Sequence, residues 1–322
     1  MDQNNRNIST ALKGMAMGMA EVIPGVSGGT IAFITGIYER LINAIRSVGP
    51  QLINAFRKDG IAGAWKAIDG KFLLPLLIGM AAGIVLGVFA VSWLLESFPP
   101  VVWGFFFGLI IASAIYVGKQ IEKWGMGEVI ALIIGTAIAY GITVISPANG
   151  SDSLFFVFIS GAIAISALIL PGISGSFILL LMGMYTFIIS DTLKPALKTL
   201  DPSKILTMAV FALGCLTGLA TISRLLSWLF KEHRGLTLAA LTGFMLGSLN
   251  KIWPWRNPID WLRDASNNIV MDDDGVTPKK ILVEANVWPS DYEGEAFVLV
   301  VIVFIVIGFA SVFLMEKYAG KE

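Results

Sequence analysis

A short turn rich in proline, glycine and serine occurs twice in the chain, and its residue types suit the binding of an anion. The two copies are Pro24-Gly25-Val26-Ser27-Gly28-Gly29 and Pro171-Gly172-Ile173-Ser174-Gly175-Ser176. Proline ends an incoming helix because it lacks a backbone N–H and disfavours helical backbone in the residue before it. Glycine then permits the reversal, and a serine stands where the N-cap residue of the outgoing helix belongs.

The backbone amides that follow each serine are predicted to be free donors. They are the N–H groups of Gly28, Gly29 and Thr30 in the first copy and of Gly175, Ser176 and Phe177 in the second. The first N–H groups of a helix have no partner in a preceding turn, and they lie at the positive end of the helix dipole. Such termini bind phosphate or carboxylate groups. Alternatively, the glycines only allow helices to pack closely, as small residues often do in membranes.

Two ionisable residues lie within apolar stretches, where charges are costly and by default functional. Glu21 precedes the first turn, and Arg224 lies in the apolar run 205–230. One interpretation is an opposite-charge couple, in which Arg224 holds an anionic head group through two hydrogen bonds and Glu21 takes up a proton. The alternatives are that Arg224 extends to the aqueous face and that Glu21 forms a structural pair with another residue.

The composition is that of a membrane protein. Hydrophobic residues make up 56% of the 322 residues and charged residues 14%, with a mean hydropathy of +0.77. This leaves too little polar surface for a soluble domain. The 23 basic and 23 acidic residues balance, so the basic field of a nucleic-acid-binding protein is missing. With one histidine and one cysteine, we expect no histidine metal site, no internal disulfide and no cofactor.

Two homologous halves must position the turns. Residues 24–38 and 171–185 share seven identities in fifteen positions, and Gly79 and Gly83 recur as Gly214 and Gly218. An internal repeat takes precedence over local patterns. The chain therefore divides into a first repeat, 1–150, and a second repeat, 151–322.

Each repeat contains three apolar runs near the length of about 20 residues that a transmembrane helix needs. They are 72–95, 101–117 and 128–146 in the first repeat and 205–230, 236–250 and 296–315 in the second. The arms around each turn are shorter, which predicts two re-entrant helical hairpins, 11–38 and 154–190.

The predicted fold is an all-α integral membrane protein in which each repeat has one re-entrant hairpin and three transmembrane helices. Three spans reverse the orientation of the second repeat, and inverted-topology repeats are typical of secondary transporters. Lysine and arginine are concentrated in the connection 39–71, which places it, together with both termini, in the cytoplasm. The segment 251–295 interrupts the repeat and is predicted to be an extracytoplasmic insertion.

Three stretches resemble the PopT family of polyprenyl-phosphate transporters. They are Glu-Val-Ile-Pro-Gly-Val-Ser-Gly-Gly-Thr at 21–30, Leu-Pro-Gly-Ile-Ser-Gly-Ser at 170–176 and Gly-Phe-Phe-Phe-Gly at 104–108. The resemblance implies a protein of a prokaryotic cytoplasmic membrane that returns undecaprenyl phosphate from the outer to the cytoplasmic leaflet for cell-envelope synthesis. The implied partners are this or a related polyprenyl-phosphate lipid, membrane lipids, and protons or sodium as coupling ions.

Two other functions fit parts of the pattern. Membrane undecaprenyl-pyrophosphate phosphatases have a similar turn, but it continues Arg-Ser and follows a pair of glutamates. Here Gly28-Gly29 and Gly175-Ser176 replace the Arg-Ser, and Met17 replaces the second glutamate. Hydrolysis therefore lacks groups that would stabilise charge on a transferred phosphoryl group, and we expect no enzymatic activity. A carrier of small anions fits the same residues, and a requirement for the isoprenoid tail would separate it from a lipid transporter.

Overall fold

The computed structural model describes residues 3–22, 26–145, 150–193, 200–260, 269, 271 and 283–319. Its helices are α1 (Gln3–Glu21), α2 (Gly28–Ile34), α3 (Tyr38–Arg46), α4 (Pro50–Ala67), α5 (Gly70–Ser97), α6 (Pro99–Gly118), α7 (Met126–Val144), α8 (Leu154–Ile169), α9 (Gly175–Leu181), α10 (Tyr185–Ile188), α11 (Pro202–Glu232), α12 (Arg234–Ser248) and α13 (Val298–Ala319). Two short strands, β1 (Arg256–Asp260) and β2 (Val283–Asn286), pair antiparallel. Apart from this small sheet and two short helical turns, the regular structure of the described residues is α-helical, as predicted.

Five helices in the described part of the chain are long and apolar enough to cross a membrane. Their apolar parts are Gly70–Leu95, Pro99–Gly118, Met126–Val144, Pro202–Glu232 and Val298–Met315. Each coincides with one of the six predicted spans. The remaining one, 236–250, corresponds to α12, whose 15 residues reach about 22 Å. That length is below the thickness of about 30 Å of a hydrocarbon core.

A short helix follows each turn. α2 and α9 have seven residues each, and a glycine in the left-handed region interrupts the chain soon after each of them, Gly36 at φ 73° and Gly183 at φ 67°. The incoming helix α1, with 19 residues, begins before the predicted hairpin 11–38, whereas α8, with 16 residues, begins at Leu154, where the predicted hairpin 154–190 begins. The re-entrant path of both hairpins stays a prediction.

The repeated glycines let equivalent helices pack closely. α1 lies along α5, and α8 lies along α11. A Cβ on Gly79 or Gly83 would overlap backbone carbonyl oxygens of α1, and a Cβ on Gly214 or Gly218 would overlap those of α8. Close helix packing is therefore the physical reason for the recurrence of these glycines.

The other long helices pair across the repeats. α6 packs against α13, and α7 packs against α12, so each pair combines one helix from each half of the chain. The core that they share contains the fully buried side chains of Ile110, Leu238 and Met245. The two repeats thus form one interlocked bundle, while the inverted orientation of the second repeat stays a prediction.

The insertion packs against α6. The indole Nε1 groups of Trp253 and Trp255 donate to the carbonyl oxygens of Val287, at 2.9 Å, and of Ala296, at 2.8 Å. The ring of Trp253 also contacts Phe107 of α6, with 5.6 Å between the centroids. These contacts attach the β1–β2 sheet to the helix bundle.

Candidate functional site

The two proline-glycine turns lie against each other in the protein interior. The hydroxyl of Ser27 is 3.1 Å from the carbonyl oxygen of Leu168 and 3.2 Å from that of Leu170, so it can donate to either. The N–H of Gly172 donates to Oγ1 of Thr30 at 3.1 Å. Ser27 and Thr30 are fully buried. The structure therefore joins the two turns through polar contacts in an apolar core, although they are far apart in the sequence.

Tyr38, one of the seven identities between 24–38 and 171–185, contributes to this contact. The hydroxyl of Tyr38 donates to the carbonyl oxygen of Ile169 at 3.2 Å, and its ring packs against Phe33 and Phe230. Its repeat counterpart, Tyr185, is exposed. The recurrence of tyrosine was the available signal, but it did not reveal that only the first copy lies at the turns.

In the first turn, a carboxylate occupies the predicted anion position. Ser27 has the extended backbone of an N-cap residue, and its hydroxyl accepts the N–H of Gly29 at 3.1 Å. The N–H of Gly28 donates to Oε1 of Glu21 at 2.7 Å. A negative charge at this end of α2 is favourable because of the helix dipole. Glu21 is thus bound at the beginning of α2, where an external phosphate was expected.

The second turn has no such carboxylate. Ser174 has the backbone of an N-cap residue, but within the described residues its side chain caps no amide of α9. Instead, its hydroxyl lies 2.8 Å from that of Ser176. The residue at the repeat position of Glu21 is Leu168. The first amides of α9 therefore lack the side-chain acceptors that those of α2 have.

The proline and the first glycine of the second turn lie in the protein interior. Pro171 and Gly172 are buried, and Gly172 has φ 85°, a left-handed conformation that favours glycine. A Cβ there would also come within 2.9 Å of the backbone of α12. Pro24 and Gly25 lie outside the described residues.

Arg224 is not at the turns. Its side chain is exposed and donates from Nη1 to the carbonyl oxygen of Ala220, one helical turn earlier, at 2.8 Å. Its guanidinium lies beside Gly49, in the connection between α3 and α4. Glu21 and Arg224, which are both described, form no ion pair. Position 224 faces away from the first turn in this conformation, which separates the couple that the sequence suggested.

A polar cavity of about 300 Å³ lies between α3 and α11. Its lining residues are Glu39, Ile42, Asn43, Arg46, Ser227, Phe230 and Lys231. Arg46 donates to Oγ of Ser227 at 2.7 Å, and Ser227 donates to Oδ1 of Asn43 at 2.9 Å. This cavity was not predicted from the sequence, in which Arg46 is one of several basic residues of the connection 39–71. The available signal was Ser227, which repeats Ser92 at the same offset of 135 residues that relates Gly79 to Gly214.

A cluster of buried charges lies where the insertion meets the bundle, and no pattern in the sequence predicted it. Nη1 of Arg256 is 2.7 Å from Oε2 of Glu284, and Nζ of Lys251 is 3.9 Å from the same oxygen. The guanidinium of Arg256 lies over the ring of Trp103, 4.2 Å from its centroid. Lys251 lies over the ring of Phe177 at 4.8 Å. Phe177 is the third residue of α9, so this cluster adjoins the second turn.

A helix bundle with several apolar spans and a buried polar contact between two broken-helix turns defines a multi-pass membrane protein of the transporter type. Residues 17–270 match the VCA0040-like family, which is described as undecaprenyl phosphate translocase-like. The chain belongs to this family.

Two relatives carry the same name. A polyprenyl-phosphate transporter of Vibrio cholerae is 43% identical over 318 residues, which are 98% of this chain and 97% of the relative. A polyprenyl-phosphate transporter of Staphylococcus aureus is 33% identical over 262 residues, covering 76% of this chain and 85% of the relative. No solved structure matches the chain. The resemblance that the turns predicted is confirmed.

Proposed function

We propose that the protein moves undecaprenyl phosphate, or a related polyprenyl phosphate, from the outer to the cytoplasmic leaflet of a prokaryotic cytoplasmic membrane, and that it is not an enzyme. The observation that carries the proposal is the contact between the two turns, with α2 holding a carboxylate at its beginning. The names of the two relatives agree with this substrate class. The lipid would then be reused in cell-envelope synthesis.

The head group binds between the turns by replacing the carboxylate of Glu21. A phosphate and a carboxylate compete for the same amides, since both are anions that accept backbone N–H groups at a helix beginning. Protonation of Glu21 would weaken its hold on Gly28 and open the position to the substrate. This exchange couples transport to protons, with sodium as the other candidate ion.

The two turns have to separate for the head group to pass. The bonds of Ser27 to the second turn and of Thr30 to Gly172 close the centre of the protein in this conformation. Opening them toward one face and then toward the other gives alternating access around one central site, as in other inverted-repeat transporters.

The isoprenoid tail stays in the lipid beside the protein. A groove of about 560 Å³ between α7 and α12 supports this lateral path. It is lined by Leu132, Ile133, Thr136, Ala137, Tyr140, Leu246, Gly247 and Asn250, which are mostly apolar. Moving an apolar chain from lipid to such a wall costs no free energy, because both surroundings are apolar. Only the head group therefore needs a shielded path.

Arg224 contacts the head group on the cytoplasmic side, after it has left the turns. Arg224, Ser227 and Lys231 are three and four residues apart along α11, which places them on one face of the helix. Two of them line the cavity that also contains Arg46. The three cations Arg46, Arg224 and Lys231 thus lie near the basic connection 39–71. They suit the release of a phosphate into the cytoplasmic leaflet.

Leaflet exchange of undecaprenyl phosphate in proteoliposomes tests the proposal, with phosphate release from undecaprenyl pyrophosphate measured in the same preparation. We expect exchange without phosphate release, and an exchange rate a few-fold lower in Arg224→Ala with unchanged affinity at the turns. Phosphate release would instead support a phosphatase. Transport of inorganic phosphate without a need for the isoprenoid tail would support a carrier of small anions.

A further inference from the structure

Two cations of the insertion lie beside one carboxylate in the described part of the chain, although the whole insertion 251–295 has more acidic than basic residues. Arg256 and Lys251 share one carboxylate, that of Glu284, and the side chain of Arg256 is only 5% exposed. Tyr292 is the other titratable group that acts on Arg256, and it is neutral at physiological pH. Two cations therefore face one anion in the described part of the chain. Burying a charge without a partner is costly, so a cluster of this kind favours a second anion.

One donor in the cluster has no acceptor. Nη1 of Arg256 donates to the carbonyl oxygen of Lys251 at 2.7 Å and also pairs with Glu284. Its Nε is fully buried and, among the described residues, has no hydrogen-bond partner. Buried polar groups are nearly always satisfied, and an arginine presents its donors as a planar fork that fits the oxygens of a phosphate. The free Nε therefore marks an incomplete contact.

The cluster is placed at the approach to the second turn. Lys251 follows α12 and lies over Phe177, which directly follows Ser176 of that turn. Trp103 of α6 supports the guanidinium of Arg256 from one face, which fixes the direction of its donors. The beginning of α9 and two cations thus lie in one region, and among the described residues no side chain caps α9 in the way that Glu21 binds to α2.

We propose that Lys251 and Arg256 bind a phosphomonoester anion at the approach to the second turn. The inference rests on the proposed function for its biological role, since it would make this cluster the first contact of the lipid head group on the side of the insertion. Arg256 supplies a bidentate contact and Lys251 a mobile point charge. Inorganic phosphate has the same chemistry, and the experiment distinguishes the two sources.

The state of Lys251 is consistent with such a site. Burial lowers the pKa of Lys251 to about 8, the nearby Arg256 lowers it further, and Glu284 opposes both. A bound anion stabilises the charged lysine, so binding of phosphate is strongest below pH 8 and weakens as the pH rises above it.

The test uses the full chain in nanodiscs, with tryptophan fluorescence as the signal because Trp103 stacks on Arg256. The probes are undecaprenyl phosphate, the short-chain geranyl phosphate and inorganic phosphate. We expect Lys251→Gln to raise the Kd for geranyl phosphate about tenfold and Lys251→Arg to restore it, since a contact between charged groups is worth about a factor of ten. The exposed Arg40, which pairs with Asp69 away from this region, gives the matched control Arg40→Gln, for which we expect an unchanged Kd.

Glu284→Gln separates a binding role from a structural one. If Glu284 only neutralises the cations, we expect Glu284→Gln to lower the Tm and to weaken the binding of every probe. If the cluster binds phosphate, removing the competing carboxylate lowers the Kd and enlarges the increase in Tm that phosphate causes. Unchanged Kd values in both Lys251→Gln and Glu284→Gln would overturn the proposal.

The failures of the two proposals are distinguishable. Normal leaflet exchange by the native chain, with all probe affinities unaffected by the variants, overturns the site and leaves the transporter. If inorganic phosphate binds with the expected order of variants while polyprenyl phosphates neither bind nor move, the site stands and the proposed substrate is wrong.

Discussion

The first and second turns have nearly the same sequence but different surroundings. In the first, Glu21 and Ser27 occupy the initial amides of α2. In the second, Leu168 replaces the glutamate, the serine hydroxyls face each other, and the cations of the insertion lie nearby. The same turn therefore contacts a carboxylate in its first copy, whereas Lys251 of the insertion lies over Phe177 beside its second copy. Within the described residues, side chains therefore accept the first amides of α2, whereas no side chain caps α9.

The largest expected effect comes from neutralising the internal anion. Glu21→Gln keeps an oxygen that can accept the N–H of Gly28, but the neutral amide can neither take up and release a proton nor compete with the substrate as an anion. We therefore expect leaflet exchange to fall at least about tenfold and to lose its pH dependence. Proteoliposome exchange between pH 6 and 8 measures this. Binding of geranyl phosphate should be retained or stronger.

A matched control is available in α7. Glu128 also accepts a backbone amide at the beginning of a helix, with Oε2 at 3.0 Å from the N of Gly125, but this bond is exposed and Glu128 lies beside Gly235 at the beginning of α12. Glu128→Gln should leave exchange unchanged. Normal, pH-dependent exchange by Glu21→Gln would contradict the proposal that Glu21 takes up the coupled proton.

The second largest effect comes from giving the second turn a carboxylate. The Cβ of Leu168 lies next to Gly175, the first residue of α9, in the way that Glu21 lies next to Gly28. Leu168→Glu should therefore place an anion at the open amides and slow exchange several-fold, and Leu168→Gln should slow it less. Equal effects of the two variants would show that size, and not charge, matters there.

A third prediction concerns the contact between the turns. Thr30→Val removes the acceptor for the buried N–H of Gly172 and should lower the free energy of unfolding by about 1–3 kcal/mol. Thermal unfolding in detergent measures the loss. Thr207→Val is the control, because Thr207 is at least partly exposed and bonds only within its own helix, to the carbonyl of Ser203. If both variants melt at the native temperature, the bond does not hold the turns together.

The smallest effect is the pH dependence of stability caused by Lys251. Burial lowers the pKa of Lys251 from its ordinary value of 10.5 to about 8, so between these values the unfolded chain binds a proton that the folded chain does not. Stability from this group therefore increases as the pH rises from about 8 toward 10.5. We expect a Tm increase of a few degrees over this range that disappears in Lys251→Gln and persists in a control variant of the exposed Lys71.

The sequence by itself determined the membrane character, the repeat, the positions of the helices that are long enough to span, and the two turns, because these depend on local composition and on the conformational limits of proline and glycine. The family followed from the same turns. Only the tertiary structure decided that α6 and α7 pair with helices of the other repeat, that Glu21 bonds to Gly28, and that Arg224 points away from the turns. The convergence of Lys251, Arg256 and Glu284 was also decided there. Each of these depends on which helix faces pack together, and residues brought into contact in this way leave no fixed spacing in the chain.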